Sequence, residues 1–255
     1  MDSAQYALMR QMEDRHWWYL GMRLAVSSML QAHHIDMRTC RWLDAGCGTG
    51  GNLAALGDTR STGVDVSPLA LMFCRGRGVA RLACASIEAL PCASDCFDLI
   101  TSFEVLYHRG VASDRLALTE FFRVLRPGGY LLVRLPAYDR LRGRHDTAVH
   151  TARRYRLWQL GHMLEGAGFE VVQISYLNTV LLVPAVLKRL QETIHTPGMR
   201  EDLDLPHPLL NRLFTALLAY EGRFVAAGHR LPAGLSVLAL AKRPAVGHRT
   251  SRELL

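Results

Sequence analysis

The stretch "LDAGCGTGGNL", residues 43–53, decides the fold, because it joins an apolar run to a helical pattern through several glycines. Gly46, Gly48 and Gly50 allow the backbone to approach a ligand closely and leave N–H groups free at the start of a helix. Asp65 ends the next apolar run, where an acid can bind the two hydroxyls of a ribose. The sequence therefore predicts a nucleoside site at this turn.

Two kinds of cofactor are compatible with the glycines alone. Gly46, Gly48 and Gly51 satisfy the G-x-G-x-x-G pattern of dinucleotide binding. Asp44 argues against a dinucleotide, since a carboxylate two residues before the first glycine would face the diphosphate of NAD. The same carboxylate can accept hydrogen bonds from an amino-acid ammonium. S-adenosylmethionine carries such an ammonium with a ribose and an adenine and no phosphate, so the pattern favours it.

Apolar runs alternate with helical patterns along the rest of the chain. Strands are predicted over residues 41–46, 61–66, 80–86, 97–106, 130–136, 169–177 and 234–244. Ser67, followed by Pro68, and Ser113 are the expected N-caps of two helices, and "RPGG" (126–129) should end the second of them. This alternation predicts a doubly wound, mostly parallel α/β sheet of seven strands.

The domain organisation follows from what lies outside these strands. The insertion before the last strand is rich in Leu, Val, Phe and Ala, so we expect it to cover an acceptor pocket or to form a homodimer face. It includes the helical pattern of residues 207–224. The expected divisions are a helical cap over 1–40, the core over 41–177, the helical insertion over 178–232, the last strand over 233–244 and a disordered tail over 245–255.

Composition sets the broad class of protein. With 255 residues, of which 49% are hydrophobic, the chain can build a full core. The net charge of +7 suits anionic substrates, nucleic acid or an acidic membrane surface without choosing among them. Six cysteines without metal-site spacing indicate reduced thiols in a cytoplasmic protein. There is no secretory h-region, and the longest apolar stretch, 176–187, falls short of the ~20 residues that span a bilayer.

With these motifs in place, the chain resembles the class I S-adenosylmethionine-dependent methyltransferases, especially the small-molecule type 11 group. The resemblance covers roughly residues 13–176, with a weaker echo over 177–243. It rests on the order and spacing of "LDAGCGTG", "GVDVSPLAL", "EALP…FDLI", "EVLYH" and "RVLRPGGYLLV". It implies a Rossmann-like sheet, S-adenosylmethionine as cofactor and methyl transfer to a small-molecule acceptor.

The resemblance also implies which residues line the cofactor. Asp44 and the glycine loop would hold the methionine part, Asp65 the ribose, and Val66 the adenine. Ser86 departs from the family's frequent Asp, which removes one contact expected for the adenine amino group. The implied residues are, in chain order, Trp18, Arg23, Asp44, Gly46, Cys47, Gly48, Gly50, Asp65, Val66, Ser86, Ile87, Phe103 and Glu104.

The aromatic segment "RHWWYLGMR" (15–23) has two interpretations. Its aromatic residues could simply pack a helix onto the core. Alternatively the segment is a lid, as in similar methyltransferases. Arg23 would then pair with the cofactor carboxylate, and Trp18 or Tyr19 would exclude water near the sulfonium and favour its charge.

The segment after the fourth predicted strand offers a base. His108 is the first candidate, since an imidazole can accept a proton near neutral pH, although it could also be a loop histidine that caps the next helix. A metal is not expected here. Similar O-methyltransferases carry Glu-x-x-Glu-His, whereas this chain has Glu104-x-x-Tyr107-His108 and lacks the second carboxylate.

The stretch "HDTAVHTARRY" (145–155) follows the fifth predicted strand, on the side of the sheet where ligands bind. Candidates for catalysis are His145, His150 and Tyr155. Candidates for binding the acceptor are Asp146, Arg153 and Arg154. A third interpretation remains open, in which Arg154 and Tyr155 only anchor the loop to the following helix.

An apolar insertion above a loop of arginines and histidines favours an amphiphilic acceptor, such as a prenyl, lipid, polyketide or glycolipid intermediate. Nucleic acid is not expected, because the basic residues do not alternate with aromatic residues in a recognisable platform. Two other functions stay open. The protein could bind S-adenosylmethionine without transferring the methyl group, or it could use the bound sulfonium for other chemistry.

Overall fold

A computed structural model of the chain describes residues 3–142, 150–182 and 205–245. The strands are β1 Trp42–Ala45, β2 Thr62–Asp65, β3 Arg81–Cys84, β4 Phe97–Phe103, β5 Leu125–Pro136, β6 Glu170–Leu177 and β7 Ser236–Lys242. The helices are α1 Ser3–Met12, α2 Trp17–Ala32, α3 Gly51–Leu56, α4 Pro68–Arg75, α5 Asp114–Val124, α6 Leu157–Gly166 and α7 Pro208–Ala226. A 3-10 turn covers Asp139–Leu141.

The strands form one seven-stranded sheet in the order β3-β2-β1-β4-β5-β7-β6. All neighbours are parallel except β7, which runs antiparallel to both β5 and β6. The strand order reverses between β1 and β4, and ligands of open α/β sheets bind at such a reversal, beyond the carboxyl ends of the strands. The predicted doubly wound, mostly parallel sheet is confirmed.

Local sequence signals explain most of the element boundaries. The Ser67 hydroxyl accepts a hydrogen bond from the Ala70 N–H at the start of α4, and Ser113 does the same for Leu116 at the start of α5. Both predicted N-caps are confirmed. The predicted fourth strand extends too far, because Glu104 adopts a φ of 61° directly after Phe103 and turns the chain.

The predicted start of the fifth strand is wrong by five residues. Helix α5 ends at Val124, and Leu125 already pairs with Phe97 of β4. The next partners are Leu99 and Tyr130, so "RPGG" (126–129) forms an irregularity within β5 rather than a separate turn.

The helix predicted over 207–224 is present as α7, and it packs against α2 at close range. Gly21 faces Leu218, and Gly222 faces the backbone of Ala25. The Trp17 N–H donates to Asn211 Oδ1 at 2.8 Å, which ties the start of α2 to α7. Residues 183–204 of the predicted insertion and the predicted tail from 246 onward lie outside the described residues, so their roles stay predictions.

Buried side chains cover both faces of the sheet. On one face α2 contributes Met22, Met29 and Leu30, which pack with residues of β1 and β4. On the other face α5 and α6 contribute Phe121 and Leu160. All six cysteines are free thiols, as predicted. In the ranges that the structure describes, no helix has the length and apolar character needed to cross a bilayer.

The contact between α2 and α7 can be tested at Gly222. A Cβ at this position would lie 2.5 Å from Cβ of Ala25 and closer still to its backbone. We expect Gly222→Ala to lower the free energy of unfolding by about 1–3 kcal/mol, because the helices must move apart. Urea denaturation measures the change.

The control is Gly161→Ala in α6, where a Cβ would meet nothing within 4 Å. It should leave stability unchanged or raise it by about 0.5–1 kcal/mol, since alanine is the better helix former. Equal effects of the two substitutions would contradict the close helix contact.

Candidate functional site

The glycine loop links β1 to α3 at the point where the strand order reverses. Gly46, Gly48 and Gly50 have φ values of 87°, 54° and 81°, in the left-handed region that favours glycine. A Cβ on Gly46 would overlap the side chain of Val105. The Gly46 and Cys47 N–H groups both donate to the Val64 carbonyl, at 2.7 and 3.0 Å, which holds the loop against β2.

Asp44, the last polar residue of β1, has a carboxylate of which one oxygen is hydrogen-bonded. Its side chain is buried, and Oδ1 accepts a hydrogen bond from the Thr101 hydroxyl at 2.6 Å. Within the described part of the chain, Oδ2 has no hydrogen-bond partner. Burial raises the pKa of Asp44 to about 7, although the bond from Thr101 acts in the opposite direction. A cationic donor such as an ammonium would satisfy Oδ2 and offset the burial of the charge.

Asp65 ends β2 beside the same loop. Its Oδ2 accepts from the Gly48 N–H and its Oδ1 from the Ser67 N–H, each at 2.9 Å, and burial raises its pKa. The next side chain, Val66, is 70% exposed. A nucleoside site needs an accessible apolar surface for the base next to an acid for the ribose. Val66 and Asp65 have these two features. The residues present therefore fit a ribose with its attached base.

Three further residues, Ser86, Ile87 and Cys47, were expected to contact the adenine or to line the loop. The Ser86 hydroxyl accepts from the Glu88 N–H at 3.1 Å, and Ile87 is buried. Cys47 is also buried, and its sulfur lies 3.8 Å from that of Cys74. The Cys47 thiol is therefore buried away from a ligand, and its N–H and carbonyl bond to Val64 and Gly50.

Helix α1 and the residue after it lie on the glycine loop, a contact that the sequence did not reveal. Glu13 is buried, and its Oε2 accepts from the Thr49 hydroxyl at 2.6 Å and from Arg77 at 2.7 Å. Arg77 also donates to the Thr49 carbonyl at 3.0 Å. Met9 covers Gly48. The only available sequence signal was the position of Glu13 just before the aromatic segment.

The aromatic segment forms the start of α2 and brings Arg23 to the loop. The Arg23 guanidinium donates to the Gly51 carbonyl at 3.4 Å and to the Glu13 carbonyl. It therefore lies at the first residue of α3, next to the N–H groups that the glycine loop presents. This placement agrees with the lid interpretation, and Arg23 as partner of the cofactor carboxylate stays a prediction.

A buried arginine that the sequence analysis missed lies between two of the predicted aromatic residues. The Arg134 guanidinium carbon is 4.9 Å from the ring centres of both Trp18 and Phe103. Its Nε donates to Glu104 Oε1 at 3.1 Å. Burial raises the pKa of Glu104, and the charge of Arg134 opposes that shift. The signal was present, since Arg134 is the one charge in the apolar strand "YLLVRLP".

His108 caps a turn in the loop after β4. Its Nδ1 accepts from the Gly110 N–H at 3.0 Å, so the proton of the neutral ring lies on Nε2. Burial lowers the pKa of His108, which favours that neutral form. Because the Nδ1 lone pair is occupied, this geometry disfavours the role of base, and the cap of the next helix is Ser113 rather than His108. The ring of His150 lies 5.7 Å away, edge to face.

Residues 150–155 hold this loop in place. The Tyr155 hydroxyl donates to Asp114 Oδ2 at 2.9 Å, and Arg153 pairs with the other oxygen of Asp114. Arg154 donates to the Ala137 carbonyl at 2.9 Å. Arg153 and Tyr155 therefore anchor the segment to the start of α5, whereas the anchoring interpretation named Arg154 and Tyr155 and the following helix. His145 and Asp146 lie outside the described residues, so their roles stay predictions.

Metal ligation was not expected from the sequence. Over residues 3–142, 150–182 and 205–245 the structure shows no group of three or more His, Cys, Asp or Glu side chains that could hold a metal ion.

Comparison with known proteins adds independent information. Residues 43–133 match the type 11 family model described as "Methyltransferase domain". A probable S-adenosylmethionine-dependent methyltransferase of Mycolicibacterium smegmatis is 32% identical over 135 residues, which cover 51% of each chain. A fatty-acid O-methyltransferase of the same organism is 36% identical, over 45% of this chain and 42% of the relative. A mouse tRNA (carboxymethyluridine(34)-5-O)-methyltransferase is 37% identical, over 35% of this chain and 14% of the relative.

The solved structures agree on the fold. The complex of the Haloferax volcanii Trm112 methyltransferase activator with a methyltransferase matches with a TM-score of 0.63 and 21% identity, over 96% of both chains. The chain spans about half the length of the first curated relative that it matches. The family model and the relatives show a methyltransferase domain over residues 43–133 that is similar to those of S-adenosylmethionine-dependent methyltransferases, and the solved structures agree with its fold.

Proposed function

We propose that this protein transfers the methyl group of S-adenosylmethionine to an amphiphilic small-molecule acceptor. The observation that carries the proposal is the buried Asp44 carboxylate with a free Oδ2 beside the glycine loop. When bound, S-adenosylmethionine supplies a methyl group on a positively charged sulfur. The protein then has to bind the cofactor, exclude water and align the acceptor.

Each part of the cofactor has residues that suit it. Asp44 would accept hydrogen bonds from the ammonium, and Arg23 would pair with the carboxylate at the start of α3. Asp65 would hold the ribose, and the exposed Val66 would pack on the adenine. Phe103 and Glu104 follow at the end of β4. Glu13 and Met9 close the loop from outside, which would keep water away.

The first candidate for a base, His108, is not available for that role in its present hydrogen bonding. His108 uses its Nδ1 lone pair within the turn. This arrangement suits an acceptor that is already ionised, such as a carboxylate, because it needs no base to remove a proton. One relative is named for a fatty-acid acceptor, which is both ionised and amphiphilic.

The expectation that nucleic acid is not the acceptor stays a prediction. Five relatives are named for methyl or carboxymethyl transfer to tRNA, each matched over 14–39% of its length. The apolar composition of the predicted insertion supports a small molecule instead.

A labelled-donor experiment tests the activity and the class of acceptor. The protein is incubated with methyl-labelled S-adenosylmethionine and with separate lipid, polar-metabolite and RNA fractions. We expect S-adenosylhomocysteine to form and label to enter the lipid or metabolite fraction. Label in RNA would contradict the acceptor class. Cofactor binding without S-adenosylhomocysteine in any fraction would contradict methyl transfer.

Arg23→Ala tests the proposed carboxylate contact. We expect affinity for S-adenosylmethionine to fall at least several-fold, roughly the value of one charge-assisted bond. Affinity for 5′-methylthioadenosine, which has no amino-acid part, should stay the same. Isothermal titration calorimetry measures both. The control is Arg15→Ala, an exposed arginine in the turn before α2. Equal losses for the two ligands would contradict a direct carboxylate contact.

Asp44→Asn tests the buried carboxylate through pH. In the unfolded chain an aspartate titrates at about 3.9, whereas burial raises the pKa of Asp44 to about 7 in the fold. The folded state therefore binds an extra proton between these values, and its stability falls as pH rises from about 4 to 7. The substitution removes this contribution, so its stability relative to the original should be greater at pH 8 than at pH 5.

The expected difference is about 2–3 kcal/mol, from the pH interval between 5 and 7. Urea denaturation of both proteins at the two pH values measures this difference. The contributions of the other buried acids cancel, because both proteins contain them. The same substitution should lower the affinity for S-adenosylmethionine more than the affinity for 5′-methylthioadenosine. Parallel stability curves at the two pH values would show that Asp44 is ionised at pH 5 in the fold.

A further inference from the structure

A cavity of about 580 Å³ lies outside the cofactor crevice, where β5 and β6 end and β7 begins. It is enclosed by the 3-10 turn after β5, the start of α6 and the residues just before β7. These are the carboxyl ends of β5 and β6, which is the edge where acceptors enter an open α/β sheet. Its lining includes Tyr138, Asp139, Arg140, Arg154, Arg156 and Trp158.

Three arginines set the charge of this cavity. Its one acid, Asp139, already accepts hydrogen bonds from Arg142 at 3.0 and 3.1 Å. Arg154 is held by its bond to the Ala137 carbonyl, which fixes the guanidinium at the cavity wall. Arg140 and Arg156 are exposed. Guanidinium groups match the planar or tetrahedral oxygens of carboxylates and phosphates better than any other side chain does.

Aromatic rings supply an apolar wall beside the arginines. Trp158 is 60% exposed although it stands in the first turn of α6. Tyr138 stacks on Tyr176, with ring centres 5.0 Å apart and planes at 23°. An exposed indole and a stacked tyrosine next to three arginines suit a ligand with an apolar body and an anionic end.

Arg154 connects the cavity with the proposed cofactor site. It donates to the carbonyl of Ala137, directly after β5. In the same strand, the Arg134 carbonyl accepts from the Glu104 N–H at 3.0 Å. A molecule held in the cavity would therefore extend toward the place where Phe103 and Glu104 lie beneath the cofactor.

We propose that this cavity binds the anionic group of the methyl acceptor, a phosphate or carboxylate attached to an apolar or aromatic body. The inference rests on the proposed methyl transfer, and it assigns Arg140, Arg156 and Trp158 to acceptor recognition. None of the three belongs to the cofactor crevice.

The test uses three probes that share a ring and differ in charge: phenyl phosphate, benzoate and benzyl alcohol. Each is titrated into the full chain without cofactor, with binding followed by the fluorescence of tryptophan or by ligand-detected NMR. We expect both anions to bind more tightly than the alcohol, and salt to weaken only the anions. The ratio between phenyl phosphate and benzoate then distinguishes a phosphate site from a carboxylate site.

Variants identify the residues. The double substitution Arg140→Gln with Arg156→Gln should lower the affinity for both anions about five- to tenfold, because partly exposed charge-assisted bonds are of modest strength. It should leave the affinity for the alcohol unchanged. Trp158→Ala should weaken all three probes. Arg75→Gln, an exposed arginine at the end of α4, is the control and should change nothing. Equal binding of all three probes, or anion binding that the double variant retains, would overturn the proposal.

The two proposals fail in different ways. If the anions bind as expected but no fraction is methylated, the proposed activity fails and the anion site remains. If methyl transfer occurs but the double variant binds the anions like the original, the anion site fails and the activity remains.

Discussion

The buried carboxylate of Asp44 is the constraint on which the rest of the site depends. The Thr101 hydroxyl donates to its Oδ1 at 2.6 Å and accepts from the Trp42 indole at 2.8 Å, so one oxygen is fixed by the two central strands. The other oxygen has no partner among the described residues. A charge buried in this way destabilises the empty protein, and a cationic ligand offsets that cost. Cofactor binding and stability are therefore linked through the same side chain.

The rest of the site is completed by segments that lie outside the sheet. Glu13, Thr49 and Arg77 join the end of α1 to the glycine loop and to the residues after α4. Trp18 joins α2 to Arg134 of β5. Helix α2 is held in turn by α7, through the close approach of Gly222 to Ala25. The position of α7, which is far along the chain, therefore controls how the N-terminal helices lie on the glycine loop.

Signals that act over a few residues could be predicted from the sequence, and signals that depend on distant contacts could not. The caps Ser67 and Ser113 and the glycine turn are local, and they are found where expected. The alternation of apolar runs and helical patterns predicted the mostly parallel sheet, but not its full strand order. The bond between Glu13 and Arg77 joins residues 64 positions apart, and no periodicity indicates it. Arg134 was visible as a charge in an apolar strand, yet only the fold supplies Glu104, Trp18 and Phe103 as its partners.

In the stretch "HDTAVHTARRY", some residues anchor the segment to the fold and another lines the cavity proposed to bind the acceptor. Arg153 and Tyr155 both use Asp114, which fastens the segment to the start of α5. Side chains committed in this way are poorly placed to bind an acceptor as well. Arg154 differs, because it bonds to the Ala137 carbonyl rather than to Asp114 and lies in the wall of the cavity. Recognition of an anionic acceptor would then fall to Arg154 with the nearby Arg140 and Arg156, and the anchoring contacts would set the distance between that anion and the methyl donor.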